Sequence, residues 1–255
     1  PLCPAHGVVL VVPPHDVAAF YRDNPRMVSS PFGGIDGYQG DLLRRVWRRL
    51  GIDPAGQRVL DVGCGRGFAS EAVRAAGGHY TGVDFVVSRA GFALAQADAQ
   101  ALPFATASFD LVCCFDAFEH FPDPAAAARE WARVLRPGGC VFLSAPNYGN
   151  VAGWVKRRQE ASGAYARDTW APFGRWQPQA LEQMVTPGYV RRAFRAGGFT
   201  RFRAIGFARE VELGLCPWLD HPRTPERIRL RAQPLLRALG PAIVAVWPGA
   251  SLHLF

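Results

Sequence analysis

Between residues 41 and 144 the apolar positions switch repeatedly between two periods. Leu42, Leu43, Val46, Trp47 and Leu50 recur at steps that place them on one helix face over 41–50, with Asp41 as N-cap and Gly51 as the stop. Residues 58–62 read as a short apolar strand and 68–76 as a helix closed by Gly77 and Gly78; residues 79–84 make a second strand. A shorter helix around 88–94 leads to a third strand over 95–98, and 109–115 is a fourth. Residues 124–135 form a helix opening on Pro124, whose missing N–H costs nothing at that position. Gly138 and Gly139 precede a fifth strand over 140–144. Strands alternating with helices at this spacing imply parallel βαβ units, an α/β fold with a doubly wound, mostly parallel sheet.

The rhythm fails at both ends. Residues 1–40 are rich in Pro and Gly and read as an N-terminal extension to a domain over 41–255. Residues 147–186 contain Tyr148, Trp154, Tyr165, Trp170 and Trp176 without a strand pattern, and are expected to form a lid or insertion after the fifth strand. A helix over 187–196, a strand near 202–207, a helix over 226–239 and a last strand over 251–255 complete the expected elements, and the sheet is expected to be seven-stranded.

Nearly half of the 255 residues are apolar, enough to bury a sizeable core. No run of 18 apolar residues occurs, so no transmembrane helix is expected, and no signal-peptide pattern is present. The net charge of +8 raises the question of nucleic acid. However, Lys156 is the only lysine and the arginines are dispersed in pairs such as Arg44 and Arg45 or Arg157 and Arg158, which reads as compositional bias, so nucleic acid is not an expected partner. Cys3, Cys64, Cys113, Cys114, Cys140 and Cys216 show no disulfide spacing. Cys64, Cys113, Cys114 and Cys140 fall in or beside strands, where cysteine acts as a small hydrophobe, and a reducing, cytoplasmic setting is expected.

The chemistry concentrates after the first core strand. Asp61, Gly63, Gly65 and Gly67 form D-x-G-x-G-x-G between a strand and a helix. Glycines at 63 and 65 let backbone approach a ligand. The dinucleotide pattern G-x-G-x-x-G would need glycine at 68, where Phe68 stands. A carboxylate at 61 has little use beside a pyrophosphate and suits a cationic amino group. Asp84 ends the second strand about twenty residues on, where an acidic side chain can accept from a ribose diol.

This D-x-G-x-G-x-G resembles motif I of class I S-adenosylmethionine-dependent methyltransferases. Asp98 and Ala99, followed by Leu102, Pro103 and Phe104 and then Phe109 and Asp110, resemble the "D-A-x-x-L-P-F-x-x-x-x-F-D" signature of the ubiquinone- and menaquinone-biosynthesis type. Glu119, His120 and Asp123 resemble its "E-H-x-x-D" segment, and 135–139 its fifth-strand entry turn. The resemblance implies a Rossmann-like methyltransferase fold with S-adenosylmethionine as cofactor. It implies that Asp61 holds the methionine end, Gly63, Cys64 and Gly65 contact it through backbone, and Asp84 takes the ribose. Phe85 lies against adenine, Asp98 and Ala99 bond its amine and a ring nitrogen, and Phe115 belongs to the same set.

The implied reaction is in-line displacement from a sulfonium with a neutral leaving group, so alignment is the main task. No metal-binding cluster is visible and metal-independent transfer is expected. His120, with Tyr38 or Tyr148 on the substrate side, is the candidate to orient or deprotonate the acceptor. The acceptor is expected to be a small organic molecule; whether O, N or C is methylated stays open, as does the oligomeric state. A nicotinamide-dependent oxidoreductase, a cofactor-binding protein without turnover and an RNA methyltransferase are the alternatives. Cys3 and His6, in C-P-x-H-G, resemble the second half of a zinc ribbon that precedes some such enzymes. A structural zinc needs four ligands and these supply two, so no metal is expected there.

Overall fold

The structure, a computed structural model, describes residues 2–3, 8–10, 19, 36–85, 91–161, 181–220 and 223–254. It divides into two compact units: a core unit of Val12–Leu143 with Arg191–Arg203, and a second unit of Pro1–Val11, Ser144–Val190 and Ala204–Phe255.

In chain order the strands and α-helices are β1 (Leu2–Cys3), β2 (Val8–Leu10), α1 (Asp36–Leu50), β3 (Arg58–Val62), α2 (Ala69–Ala75), β4 (His79–Asp84), β5 (Ala93–Gln96), β6 (Phe109–Phe115), α3 (Pro124–Val134), β7 (Leu135–Pro146), α4 (Val151–Ala161), β8 (Leu181–Glu182), α5 (Pro187–Ala196), α6 (Val211–Leu215), α7 (Glu226–Val246) and β9 (His253–Leu254). The core sheet has the order β5-β4-β3-β6-β7. β3 pairs in parallel with β4 and β6, and β4 with β5. The chain builds outward from β3 in one direction and then returns to its other side at β6. The carboxyl ends of β3 and β6 therefore flank the point where strand order reverses, the place where ligands bind in such sheets.

The sequence explains these elements. β6 is buried at all seven positions and β3 at every position after Arg58, as a central strand covered on both faces requires. α3 is capped by Asp123, whose carboxylate accepts from Ala125 N (3.0 Å) and Ala126 N (2.9 Å), and Pro124 follows it. Among aromatic side chains, Phe118 packs against Phe121, Trp131 and Phe194 with centroids 5.5 to 6.1 Å apart. That cluster fixes the single 3₁₀ turn Phe118–His120 after β6.

Several boundaries differ from expectation. α1 begins at Asp36. The third strand runs Ala93–Gln96 rather than 95–98, because pairing of Thr81 to Asp84 with Ala93 to Gln96 outweighs local preference; residues 86–90, most of the expected helix before it, lie outside the described residues. No strand forms over 202–207, where only Gly206 makes a bridge, so the described residues hold six strands in the sheet, β9 included, rather than seven. Cys140 is exposed, unlike buried Cys64, Cys113 and Cys114, because it lies on the solvent side of β7. Of the expected lid, 162–180 lies outside the described residues, as do His6 and the Cys3 side chain.

In the second unit, β1, β2 and β8 form a three-stranded antiparallel sheet. The end of β7 pairs antiparallel with β9 through Ala145 and Leu254. Tyr148, Ala152 and Leu252 pack with Met184 and Leu213, and Val211, Val244 and Ala250 pack with Ala208, Leu215 and Ile243. Asn147 Nδ2 donates to Gly249 O (2.7 Å) and Ser251 O (3.0 Å), closing the unit's C-terminal turn. Among the described residues no helix is long and apolar enough to cross a membrane.

At the amino end of the core sheet, Asp110 Oδ2 accepts from Arg58 N at 2.6 Å and its Oδ1 pairs with Arg136 Nε at 2.6 Å. Burial works against the charge, but the Arg58 N–H and guanidinium and Arg136 outweigh it and hold the carboxyl below its usual range. Asp110→Ala is expected to lower the unfolding free energy by about 2–3 kcal/mol in urea titrations near neutral pH. A carboxyl with a lowered folded pKa stabilises above the unfolded value, about 4, and the contribution fades as pH falls through the folded value, so the difference between variant and wild type should shrink in acid.

Candidate functional site at the carboxyl edge of the core sheet

β3 delivers Asp61 to the sheet's interior with no solvent exposure. From β4, the Tyr80 hydroxyl donates to Asp61 Oδ2 at 2.6 Å. Asp61 Oδ1 is buried with no hydrogen-bond partner. A buried acceptor left bare carries a desolvation penalty, so this atom is poised for a donor that the protein does not supply. Burial pushes the carboxyl up; the Tyr80 hydrogen bond works against that and Asp84 adds to it, bringing the pKa to about 7.

The glycine loop turns sharply beyond Val62. Gly63, Gly65 and Gly67 have φ of 70°, 52° and 73°, left-handed values that glycine adopts without cost. At Gly63 there is a second constraint: a Cβ would sit 2.5 Å from Ala117 Cβ, so the loop after β3 closes directly on the loop after β6. Gly63 N and Cys64 N both donate to Val83 O, at 2.9 and 3.1 Å. Gly65 N donates to Asp84 Oδ2 at 2.8 Å, which draws the carboxylate ending β4 onto the glycine loop. Cys64 is buried and its thiol is pushed up by burial and by the Asp61 and Asp84 charges, so it stays neutral. Phe92 lies under Gly67, where a Cβ would come within 2.3 Å of its ring, and meets Tyr80 edge-on at 5.0 Å.

Asp98 sits in the turn after β5. Its Oδ1 accepts from Gln100 N at 2.8 Å, and the Gln100 side-chain amide donates to both carboxylate oxygens at 3.1 and 3.2 Å. Gln100 Oε1 accepts from Asp123 N at 3.0 Å, joining this turn to the segment after β6. Ala99 is buried and its carbonyl accepts from Trp131 Nε1 at 3.1 Å. α3 also clamps the next residues. Glu130 Oε1 accepts from Leu102 N at 2.8 Å, while Arg133 donates to Phe104 O (2.8 Å) and Leu102 O (3.1 Å) and pairs with Glu130. The Arg133 hydrogen bond chiefly holds the Glu130 carboxyl below its usual range.

Phe115 ends β6 against Phe68 (4.9 Å) and Phe142 (5.5 Å). Asp116 follows with φ of 46°, a strained value for a non-glycine residue, and turns the chain into 118–120. Glu119 is fully buried, and His120 Nε2 lies 3.8 Å from its Oε1.

The structure thus brings Asp61, Gly63, Cys64, Gly65, Asp84, Asp98, Ala99 and Phe115 to one edge of the core sheet, with half-buried Phe85 just beyond Asp84. Tyr38 lies on α1, with its side chain outside the described residues. Tyr148 belongs to the second unit's core, almost fully buried, with its hydroxyl donated to Glu182 and the Lys156 ammonium 4.9 Å from its ring centroid. Among the described residues no group of three His, Cys, Asp or Glu side chains converges as a metal site would. Sequence reading passed over Tyr80, Gln100, Trp131 and the Glu130–Arg133 pair; the spacing of Glu130 and Arg133 on a helix face was the one signal available.

A folded carboxyl with a raised pKa keeps a proton that the unfolded chain releases between about pH 4 and 7, so it makes the ligand-free protein less stable as pH rises through that window. Asp61→Asn, which retains an acceptor for Tyr80, is expected to abolish a loss of roughly 2–4 kcal/mol between pH 5 and pH 8 in urea titrations. An equal slope in wild type and variant would contradict this picture of Asp61.

Residues 60–143 match the family described as a methyltransferase domain. A ubiquinone biosynthesis O-methyltransferase of Aromatoleum aromaticum is 40% identical over 118 residues, 41% of this chain and 50% of the relative. The chain spans about half the length of the curated relatives it matches. Among solved structures, an S-adenosylmethionine-dependent methyltransferase from Mesorhizobium loti aligns with a TM-score of 0.51 at 18% identity, over 82% of this chain and 94% of that one. The [4+2]-cyclase SpnF aligns with the same TM-score at 19% identity, over 84% and 79%, so the fold by itself does not fix the chemistry. The glycine loop, Asp84 and the Asp98 turn are thus assembled on one sheet edge inside the segment, a third of the chain, that is similar to the methyltransferase-domain family.

Proposed function

We propose that the chain binds S-adenosylmethionine at the carboxyl edge of its core sheet and transfers the methyl group, without a metal, to a small organic acceptor. The observation that carries this reading is Asp61: a fully buried carboxylate, oriented by Tyr80 through one oxygen and bare at the other. An α-ammonium group is the donor that fits it, since it supplies both the missing hydrogen bond and the countercharge. When bound, the cofactor supplies a methyl group on a sulfonium sulfur, whose departure leaves a neutral thioether. The chain's own task is alignment, which can lower the barrier by about 7–11 kcal/mol. Gly63 and Gly65 keep Cβ atoms out of the way. Asp84, braced by Gly65 N–H, accepts from the ribose hydroxyls, and Asp98 and Ala99, braced by Gln100 and Trp131, take the adenine edge.

Binding is expected to track Asp61 ionisation. The S-adenosylhomocysteine Kd in calorimetric titration should be on the order of 100-fold weaker at pH 5 than at pH 8, because only about 1% of a carboxyl with a pKa near 7 is ionised at pH 5. Asp61→Asn should weaken binding at pH 8 and flatten the profile. No binding by the folded wild type at either pH would overturn the proposal.

The relatives' names favour oxygen as the methylated atom, and an oxygen acceptor needs a base. His120 is the proposed base, carried on the 3₁₀ turn that the Phe118 cluster fixes and paired with buried Glu119. His120→Ala should leave S-adenosylhomocysteine affinity unchanged and lower turnover by at least about 100-fold. Full turnover in the variant would remove His120 from the mechanism.

A further inference from the structure

Among the described residues, α7 is packed on one side only. Its inward face is anchored: Val244 and Ile243 join the cluster with Val211 and Ala250, and Gly240 meets Ala208 so closely that a Cβ would lie 2.4 Å from the Ala208 carbonyl oxygen. Its outward face carries Ile228, Leu235, Leu239 and Val246, all exposed, with Val246 89% accessible. Steps of seven, four and seven residues return to the same helical azimuth, so these four form one stripe about 27 Å long at 1.5 Å per residue. The exposed positions beside it, Pro234, Ala238, Pro241, Ala242 and Ala245, are also apolar. Within 232–246 the only charged side chain is Arg237, bonded to Glu212 at 3.0 Å. Trp247 continues the exposed apolar surface past the helix end.

The charged residues lie at the other end. Arg227 and Arg231 are exposed on the outward side of the first turns, and Glu226 is the only acidic residue in the helix. The chain as a whole carries +8. A continuous apolar stripe, arginines beside it and an exposed indole at its end match a helix lying in the plane of an anionic bilayer surface. A second copy fits this face less well, because it would bring the same arginines and the same excess of positive charge against them. Pro234 and Pro241 each leave a helix carbonyl without its N–H donor. Such carbonyls need water, which sets the helix at headgroup depth.

We propose that the outward face of α7 is a membrane-docking surface that holds the protein on anionic lipid bilayers. The surface is independent of the cofactor reading, so either can fail alone.

The test is flotation of the full chain with vesicles of phosphatidylcholine, and of phosphatidylcholine mixed with phosphatidylglycerol. The protein should float with the mixed vesicles and not with phosphatidylcholine alone, and salt should weaken the association. A Leu235→Glu/Leu239→Glu variant should lose at least about tenfold in vesicle affinity while keeping the wild-type circular dichroism and melting curve. Arg227→Gln/Arg231→Gln should remove the preference for phosphatidylglycerol. No flotation by the wild type, or equal flotation by the double leucine variant, would overturn the proposal. So would a dimer in sedimentation equilibrium that Leu235→Glu/Leu239→Glu dissolves, since the face would then belong to a second copy.

Discussion

A single half-satisfied carboxylate organises the core unit. Asp61 is buried at the end of a central strand, with one oxygen held by Tyr80 and the other without a partner. Such a group is costly for a folded protein to keep, since a nonpolar or fully bonded residue in its place would be more stable. Much of the surrounding geometry serves to keep it in place. Tyr80 fixes its orientation, Phe92 backs Tyr80, and the glycine loop above it is pinned to β4 through Val83 and Asp84. Stability is given up at the position where the proposed function would have a cationic ligand group return it.

The second half of the site is held differently. The turn carrying Asp98 and the residues to Phe104 contains little regular structure, and side chains of α3 determine its position. Trp131 takes the Ala99 carbonyl, Glu130 the Leu102 N–H, and Arg133 two further carbonyls. Gln100 then ties the turn to the segment after β6. A loop fixed by three side chains of one neighbouring helix and one of its own can be as exact as one built on a strand.

The parts of this arrangement legible in the sequence were those carried by local pattern. The glycine loop could be read because left-handed turns demand glycine, and the alternation of strands and helices because burial on both faces leaves continuous apolar runs. What escaped was set by long-range contact. Tyr80 looks like any aromatic residue in a strand until its hydroxyl is seen against Asp61, nineteen positions away. The short strand Ala93–Gln96 was displaced because pairing with β4 settled its register. The second unit was the least legible: its strands are short, its sheet joins residues 2–10 with 181–182, and its packing around Tyr148 reads in sequence as an aromatic-rich loop. Tyr148, which looked like an acceptor-facing residue, instead closes a buried ion pair.

That ion pair has a chemical consequence. Lys156, the only lysine of the chain, is fully buried, with its ammonium 3.2 Å from Glu182 and over the Tyr148 ring. In a protein that uses arginine for every other cationic side chain, the single primary amine on a side chain is enclosed where acylating reagents and modifying enzymes do not reach it. While the second unit is closed, the folded surface is chemically silent toward lysine-directed chemistry. Any reaction at that amine therefore marks a molecule whose second unit has opened.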